Sequence, residues 1–153
     1  MKKTAITYGT FDLFHIGHLR LFQRIKEFSN YLIVAVSTDE FNLKKGKKSI
    51  IPFENRFEII QNLREVDFVI PEDKWEQKVK DIQKYNVNYF VMGEDWQGKF
   101  DFLKQYCEVI YLPRTYGISS STIKKTLFEI NKSNDSSINT ALEILHQLRN
   151  ELS

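Results

Sequence analysis

Lys3-Thr4-Ala5-Ile6-Thr7-Tyr8-Gly9-Thr10-Phe11-Asp12-Leu13-Phe14-His15-Ile16-Gly17-His18 is the stretch around which the 153-residue chain is organised. Thr4 to Tyr8 is β-branched and aromatic and reads as a short strand, which Gly9-Thr10-Phe11-Asp12 breaks. His15 and His18, with Gly17 between them, then open a helical pattern. A strand that turns sharply into a helix presents unpaired backbone N–H groups where the macrodipole favours an anion. The turn adds the Thr10 hydroxyl and two imidazoles whose three-residue spacing puts them on one helical face. Together these features predict a phosphate-handling site. A metal-binding pair or two surface histidines would also fit the spacing alone, but the motif takes two of the three histidines in the chain.

Outward from this stretch, the pattern alternates strand and helix. Leu19, Phe22, Ile25 and Phe28 recur at helical spacing, and Tyr31–Ser37 is a continuous apolar run, as in a strand covered on both faces. After Thr38–Asn42, four lysines flank Gly46 between Leu43 and Ser49 without apolar periodicity, which reads as a mobile basic loop. Pro52 suits a helix start, followed by the stripe Phe53, Phe57, Ile60 and Leu63, with Arg56 and Arg64 on other sides. Asp67–Ile70 is a short strand ended by Pro71. Trp75–Tyr85 is a helix, Asn88–Met92 a strand, and Gly93–Gly98 a turn carrying two acids. Phe100–Tyr106 is a short helix and Glu108–Leu112 a strand. Arg114–Gly117 is a loop, and Ile118–Ile130 a helix whose start is crowded with hydroxyls. This βα alternation predicts an α/β fold, a parallel sheet with helices on both faces. In such sheets ligands gather beyond the carboxyl ends of the strands, near the point where strand order reverses. The loops that carry chemistry, 9–18, 38–49, 93–98 and 114–122, each follow a strand.

Residues 1–130 therefore read as one domain. Residues 131–137 are polar and without period and read as a linker. Ile138, Leu142, Leu145, Leu148 and Leu152 form the stripe of a C-terminal amphipathic helix, which would pack on the domain or on a second copy of the chain. A net charge of +2 gives no basis for a nucleic-acid or membrane-surface partner, and no apolar run is long enough to span a bilayer. The lone Cys107 reads as structural, and the absence of a signal-peptide pattern points to the cytoplasm.

Thr10-Phe11-Asp12-x-x-His15-x-Gly17-His18 resembles the nucleotide-binding signature of the cytidylyltransferases, of the His-x-Gly-His nucleotidyltransferase type with a Rossmann-like sheet. Arg114-Thr115-x-Gly117-Ile118-Ser119-Ser120-Ser121 resembles their second signature. Ser37–Asn42 and Val91–Trp96 are similar to the corresponding stretches of bacterial glycerol-3-phosphate cytidylyltransferases. Tyr116 stands where glutamate is frequent, Ser120 where threonine is usual and Ile16 where an aromatic is common; none removes a cation, hydroxyl or imidazole.

The resemblance implies synthesis of CDP-glycerol and pyrophosphate from CTP and sn-glycerol 3-phosphate, for teichoic acid assembly, by a magnesium-dependent homodimer. It implies that His15, His18 and Arg114 are catalytic. CTP would meet Thr10, Phe11, His15, Ile16, Gly17, His18, Lys47, Arg64, Asp95, Arg114, Thr115, Gly117, Ile118, Ser119, Ser120 and Ser121. Lys45 and Lys78 would face the glycerol phosphate. Asp12 would orient His15 or approach the metal, and Mg2+ would ride mainly on the CTP phosphates with no set of protein ligands of its own. The alternatives are transfer to another alcohol phosphate (ribitol phosphate, phosphocholine or phosphoethanolamine) or a CTP-binding regulatory module without catalysis.

Overall fold

A computed structural model describes residues 1–151; Leu152, the last member of the expected C-terminal stripe, lies outside the described residues. The chain divides into two compact units, Met1–Ile118 and a second beginning at Ser119. The first unit is a five-stranded sheet in the order β3-β2-β1-β4-β5, all neighbours parallel. The strands are β1 (Thr4–Gly9), β2 (Tyr31–Ser37), β3 (Phe68–Glu72), β4 (Tyr89–Gly93) and β5 (Glu108–Leu112). Between them run α1 (Ile16–Phe28), α2 (Asp39–Lys44), α3 (Phe53–Gln61), α4 (Gln77–Lys84) and two short 3-10 turns, Glu94–Trp96 and Asp101–Gln105. The chain steps outward from β1 through β2 to β3, then crosses back to place β4 on the other side of β1. The order reverses there, so a crevice opens beyond the carboxyl ends of β1 and β4.

Period-two alternation on β2 explains the two cores. Leu32, Val34 and Val36 face one side with Phe22 and Ile25 of α1 and Ile60 of α3. Ile33 and Ala35 face the other side with Ile82 of α4, Phe90, Phe100 and Leu103. Both faces are covered, as the continuous apolar run of β2 predicts.

Three expectations are corrected. Pro71 does not end β3: it pairs with Val36, and the strand continues to Glu72. β3 is an edge strand, where a missing N–H is tolerated. The start of the basic segment is helical, because Thr38 Oγ1 accepts from Phe41 N and caps α2, which ends with Lys45 as its C-cap. The expected linker 131–137 is helical too, inside α5 (Ser120–Glu151) of the second unit. No glycine or proline follows Gly117. The Ser133, Ser137 and Thr140 hydroxyls donate to carbonyls four residues back, so these polar side chains are absorbed by the helix. The expected boundary after residue 130 thus falls within a helix.

Candidate active site

The β1–α1 turn is held by unusual backbone. Phe11 and Leu13 adopt φ of 53° and 51°, a left-handed conformation costing about 1–2 kcal/mol per non-glycine residue. The turn tucks the Phe11 ring under the strand end, edge-on to His18 and Phe22. A methyl group at Gly9 would lie 2.8 Å from the Phe11 ring, so only glycine leaves it room.

His15 is the N-cap of α1. Its Nδ1 accepts from Gly17 N at 3.0 Å, while His18 Nδ1 accepts from His15 N at 3.3 Å, a capping box built from two imidazoles. A ring nitrogen that accepts a backbone N–H carries no proton, so in each neutral ring the proton sits on Nε2. The rings stack with centroids 3.8 Å apart. Burial, reinforced by His15 and opposed by Asp12, pulls His18 down to about 3, and burial lowers His15 as well. Both imidazoles are therefore neutral donors at physiological pH. His15 Nε2 is buried with no protein partner. A buried orphan donor is costly unless a ligand completes it. No acid occupies the first turn of α1, which leaves its N-terminal dipole to an incoming anion. Ile16 is exposed beside this turn. A methyl group at Gly17 would meet His15 Cε1 at 2.7 Å and Ile118 Cγ2 at 3.4 Å, so the two signatures meet at this glycine.

Asp12 stands in the same turn. Its carboxylate accepts from Ile50 N and Ile51 N at 2.7 and 2.9 Å, pinning the end of the basic segment to the β1 turn. Arg56, 1% exposed, does the same for the ends of β1 and β2 and the segment before α3. It donates to the carbonyls of Thr10, Ser37 and Ile51 and to Asp39 Oδ1, all at 2.7–2.8 Å. The Thr10 hydroxyl donates to buried Asn42, which in turn donates to Ser49.

Lys45 and Lys78 lie in a partly enclosed polar cluster, which the expected mobile loop does not describe. Lys78, 2% exposed, places Nζ 2.6 Å from Glu72 Oε1. Glu72 Oε2 accepts from Ser37 Oγ at 2.7 Å, and Lys45 Nζ donates to the same hydroxyl at 3.1 Å. Both ammonium groups lie over the Trp75 ring. Burial pulls Lys45 down to about 8 against the opposing pull of Glu72, and burial lowers Lys78 against the same carboxylate. Lys47 and Arg64 are exposed.

Beyond β4 and β5, Arg114 N donates to Glu94 Oε1 and its Nε pairs with Asp95 Oδ2 at 3.2 Å, joining two expected CTP residues. Thr115 is half-buried, and Gly117 takes φ of 80°, which favours glycine. In the second unit, Ser119 Oγ accepts from Thr122 N, capping the helix that Ser120 and Ser121 begin. Sequence reading missed Glu72, Asn42 and the role of Arg56. Glu72 lay hidden behind a proline taken as a strand end. Arg56 lay on a helix too polar around its circumference to flag one buried guanidinium.

The chain belongs to the cytidylyltransferase-like family, whose pattern it matches over residues 6–126. It is 58% identical to the glycerol-3-phosphate cytidylyltransferase of Bacillus subtilis, covering 83% of this chain and 98% of that one. To the Staphylococcus aureus protein of the same name it is 56% identical, over 82% and 96%. The choline-phosphate cytidylyltransferase 2 of Arabidopsis thaliana is 32% identical over 75% of this chain and 41% of its own. The fold matches a lipopolysaccharide core biosynthesis protein from Thermoplasma volcanium with TM-score 0.64, at 20% identity, over 75% of this chain and 98% of that one. The family match ends at residue 126, so most of α5 lies beyond it. No described helix is long and apolar enough to cross a membrane.

Proposed function

We propose that the chain is a glycerol-3-phosphate cytidylyltransferase. A phosphate oxygen of sn-glycerol 3-phosphate attacks the α-phosphorus of CTP. The new P–O bond forms as the bond to the β-phosphate oxygen breaks, releasing CDP-glycerol and pyrophosphate. The attacking phosphate is already a nucleophile, so the protein's task is alignment and neutralisation of charge on the α-phosphoryl group and the leaving pyrophosphate. The observation that carries this reading is the buried, unpartnered His15 Nε2 beside a second Nε2–H imidazole at a helix N-terminus.

In this reading His15 and His18 donate to the α- and β-phosphates, and Arg114 holds the β- and γ-phosphates. Thr10, Phe11, Ile16, Gly17, Lys47, Arg64, Asp95, Thr115, Gly117 and Ile118 shape the remainder of the CTP site. Lys45 and Lys78 hold the glycerol phosphate, Lys78 bonded to the buried Glu72 carboxylate and Lys45 joined to it through the Ser37 hydroxyl. Mg2+ when bound neutralises triphosphate charge. Among the described residues no group of three His, Cys, Asp or Glu converges to hold an ion, and in this reading the metal is carried on the nucleotide. Identities of 56–61% over nearly the whole length of proteins of that name support the acceptor. The same reading makes the chain a cytoplasmic homodimer whose product feeds teichoic acid assembly.

Pyrophosphate release with CTP, Mg2+ and one acceptor at a time tests it. Glycerol 3-phosphate should support turnover, and His18→Ala should lower it by roughly two to three orders of magnitude, as for other preorganised donors. Preference for ribitol 5-phosphate, phosphocholine or phosphoethanolamine would overturn the acceptor. CTP binding without release from any of them would leave a regulatory module.

A further inference from the structure

Lys78 is enclosed in an unusual way. Its Nζ lies 4.5 Å from the Tyr8 ring centroid, 4.5 Å from that of Trp75 and 5.7 Å from that of Phe100. The fourth side is the Glu72 carboxylate at 2.6 Å, itself buried. The box is rigidly built. Tyr8 stacks on Phe90 and donates its hydroxyl to Asp81, which also accepts from Gln77. Trp75 packs on Phe41, Trp96 and Phe100. Aromatic faces closed by a carboxylate are the chemistry that recognises an organic ammonium group. Here the chain fills that box with an ammonium of its own.

We propose that Lys78 is a specificity-determining residue: its ammonium occupies an aromatic and carboxylate box that would otherwise receive the ammonium of a cationic alcohol phosphate, and so confines the enzyme to acceptors without positive charge. The inference rests on the reading that the acceptor lies against Lys45 and Lys78. The box adjoins Lys45 through a short chain of hydrogen bonds, Lys45 to Ser37 to Glu72. An acceptor phosphate on Lys45 therefore has its alcohol end within reach of the box. A substrate cation arriving there would meet a like charge in a dry site, which is strongly unfavourable. A glycerol hydroxyl meets no such charge, and an ammonium with three donors, one of them given to Glu72, can donate to it.

Removing the Lys78 side chain empties the box and leaves Glu72 without its cation. The full chain and its Lys78→Ala variant are compared for pyrophosphate release with sn-glycerol 3-phosphate, phosphoethanolamine and phosphocholine. The ratio of kcat/KM for phosphoethanolamine to that for glycerol 3-phosphate should rise by about 30-fold, the scale of a desolvated cation–π contact. Lys78→Met, which refills the box with an apolar chain, should show no such rise. Thermal melting read with ethylammonium chloride gives a second measure that needs no turnover. Ethylammonium should raise the melting temperature of Lys78→Ala and leave wild type unmoved, with sodium chloride as the control. If Lys78→Ala does not fold on its own, ethylammonium in the refolding buffer should restore it.

An unchanged acceptor ratio together with no ethylammonium effect on melting or refolding would overturn the proposal and leave Lys78 an acceptor ligand without a role in selectivity. Wild type that is silent with glycerol 3-phosphate would sink the functional reading, while the ethylammonium melt would still report on the box.

Discussion

Gly17→Ala isolates the positioning of His15 from the stability of the fold. The added methyl would stand 2.7 Å from His15 Cε1 and 2.9 Å from Nδ1. Ordinary carbon contacts are ~3.5–4.0 Å, so the ring must retreat by roughly 1 Å. It cannot retreat toward His18, which is stacked against it with centroids 3.8 Å apart. The 3.0 Å bond from Gly17 N to Nδ1 is then lost, and with it the reason for the proton to sit on Nε2. A misplacement of about 1 Å can cost ~100-fold in rate, and loss of one preorganised donor ~100- to 1,000-fold. Stability moves little. Alanine is favoured over glycine in a helix by about 1 kcal/mol, and the lost cap bond is worth about the same. The assay is pyrophosphate release with CTP, Mg2+ and glycerol 3-phosphate, resolved into kcat and KM, beside a thermal melt. The expected result is a loss of ~100- to 1,000-fold in kcat/KM with a melting temperature within about 3 °C of wild type. Wild-type kcat/KM at an unchanged melting temperature would refute the argument, and so would a loss of activity fully explained by unfolding.

Arg56→Ala should destabilise the first unit by about 3–5 kcal/mol, roughly 10 °C in a thermal melt, because it strips a buried cation from three loop carbonyls and Asp39; a melt within 2 °C of wild type would contradict its role as a staple. Lys45 stands at about 8 in the fold, below its ordinary 10.5. The unfolded chain therefore binds more protons across that window, so stability rises with pH there, and Lys45→Met should flatten that rise in a pH series of melts. The KM for the acceptor should climb as pH passes about 8, and Lys45→Arg should move the climb to higher pH. His18, held near 3 from an ordinary 6.5, costs stability as pH falls from 6.5 toward 3, and His18→Gln should remove that dependence. Chelation of Mg2+ should abolish turnover while leaving the melt of the ligand-free chain unchanged, since the metal is expected to arrive on the nucleotide.

The sheet and the β1–α1 turn were legible because local signals agreed with the global fold. β2 announces its two-sided burial in seven consecutive residues, and the first signature compresses strand end, turn and helix cap into ten. What escaped depended on partners distant in sequence. A proline inside a strand reads as a stop unless the strand is known to be at the edge, and that knowledge needs the sheet order. Lysines without apolar period read as a solvated loop unless the carboxylate they face is known, and Glu72 is 27 positions from Lys45 and six from Lys78 in sequence. Asn131–Ser137 read as a linker because serine and asparagine favour turns; here the hydroxyls bond back onto the helix.

The carboxyl ends of β1, β2 and β3 show why this sheet needs charges in its interior. Loops that must leave room for a triphosphate cannot be fixed by packing apolar side chains into that same space. They are fixed from behind, by groups that each make several bonds from one buried point. Arg56 ties three carbonyls and Asp39 from the β2 side, and Asp12 ties the returning segment at Ile50 and Ile51. Glu72 anchors Lys78 directly and Lys45 through Ser37. Each is a multi-bonded hub, so a conservative substitution cannot keep all its bonds. Arg56→Lys retains the charge but, with one ammonium in place of a fork, cannot reach Thr10, Ser37, Ile51 and Asp39 together. It should therefore recover part of the stability lost in Arg56→Ala while leaving kcat/KM depressed. Full recovery of both would show that the charge alone, and not the geometry of the fork, holds the strand-end loops.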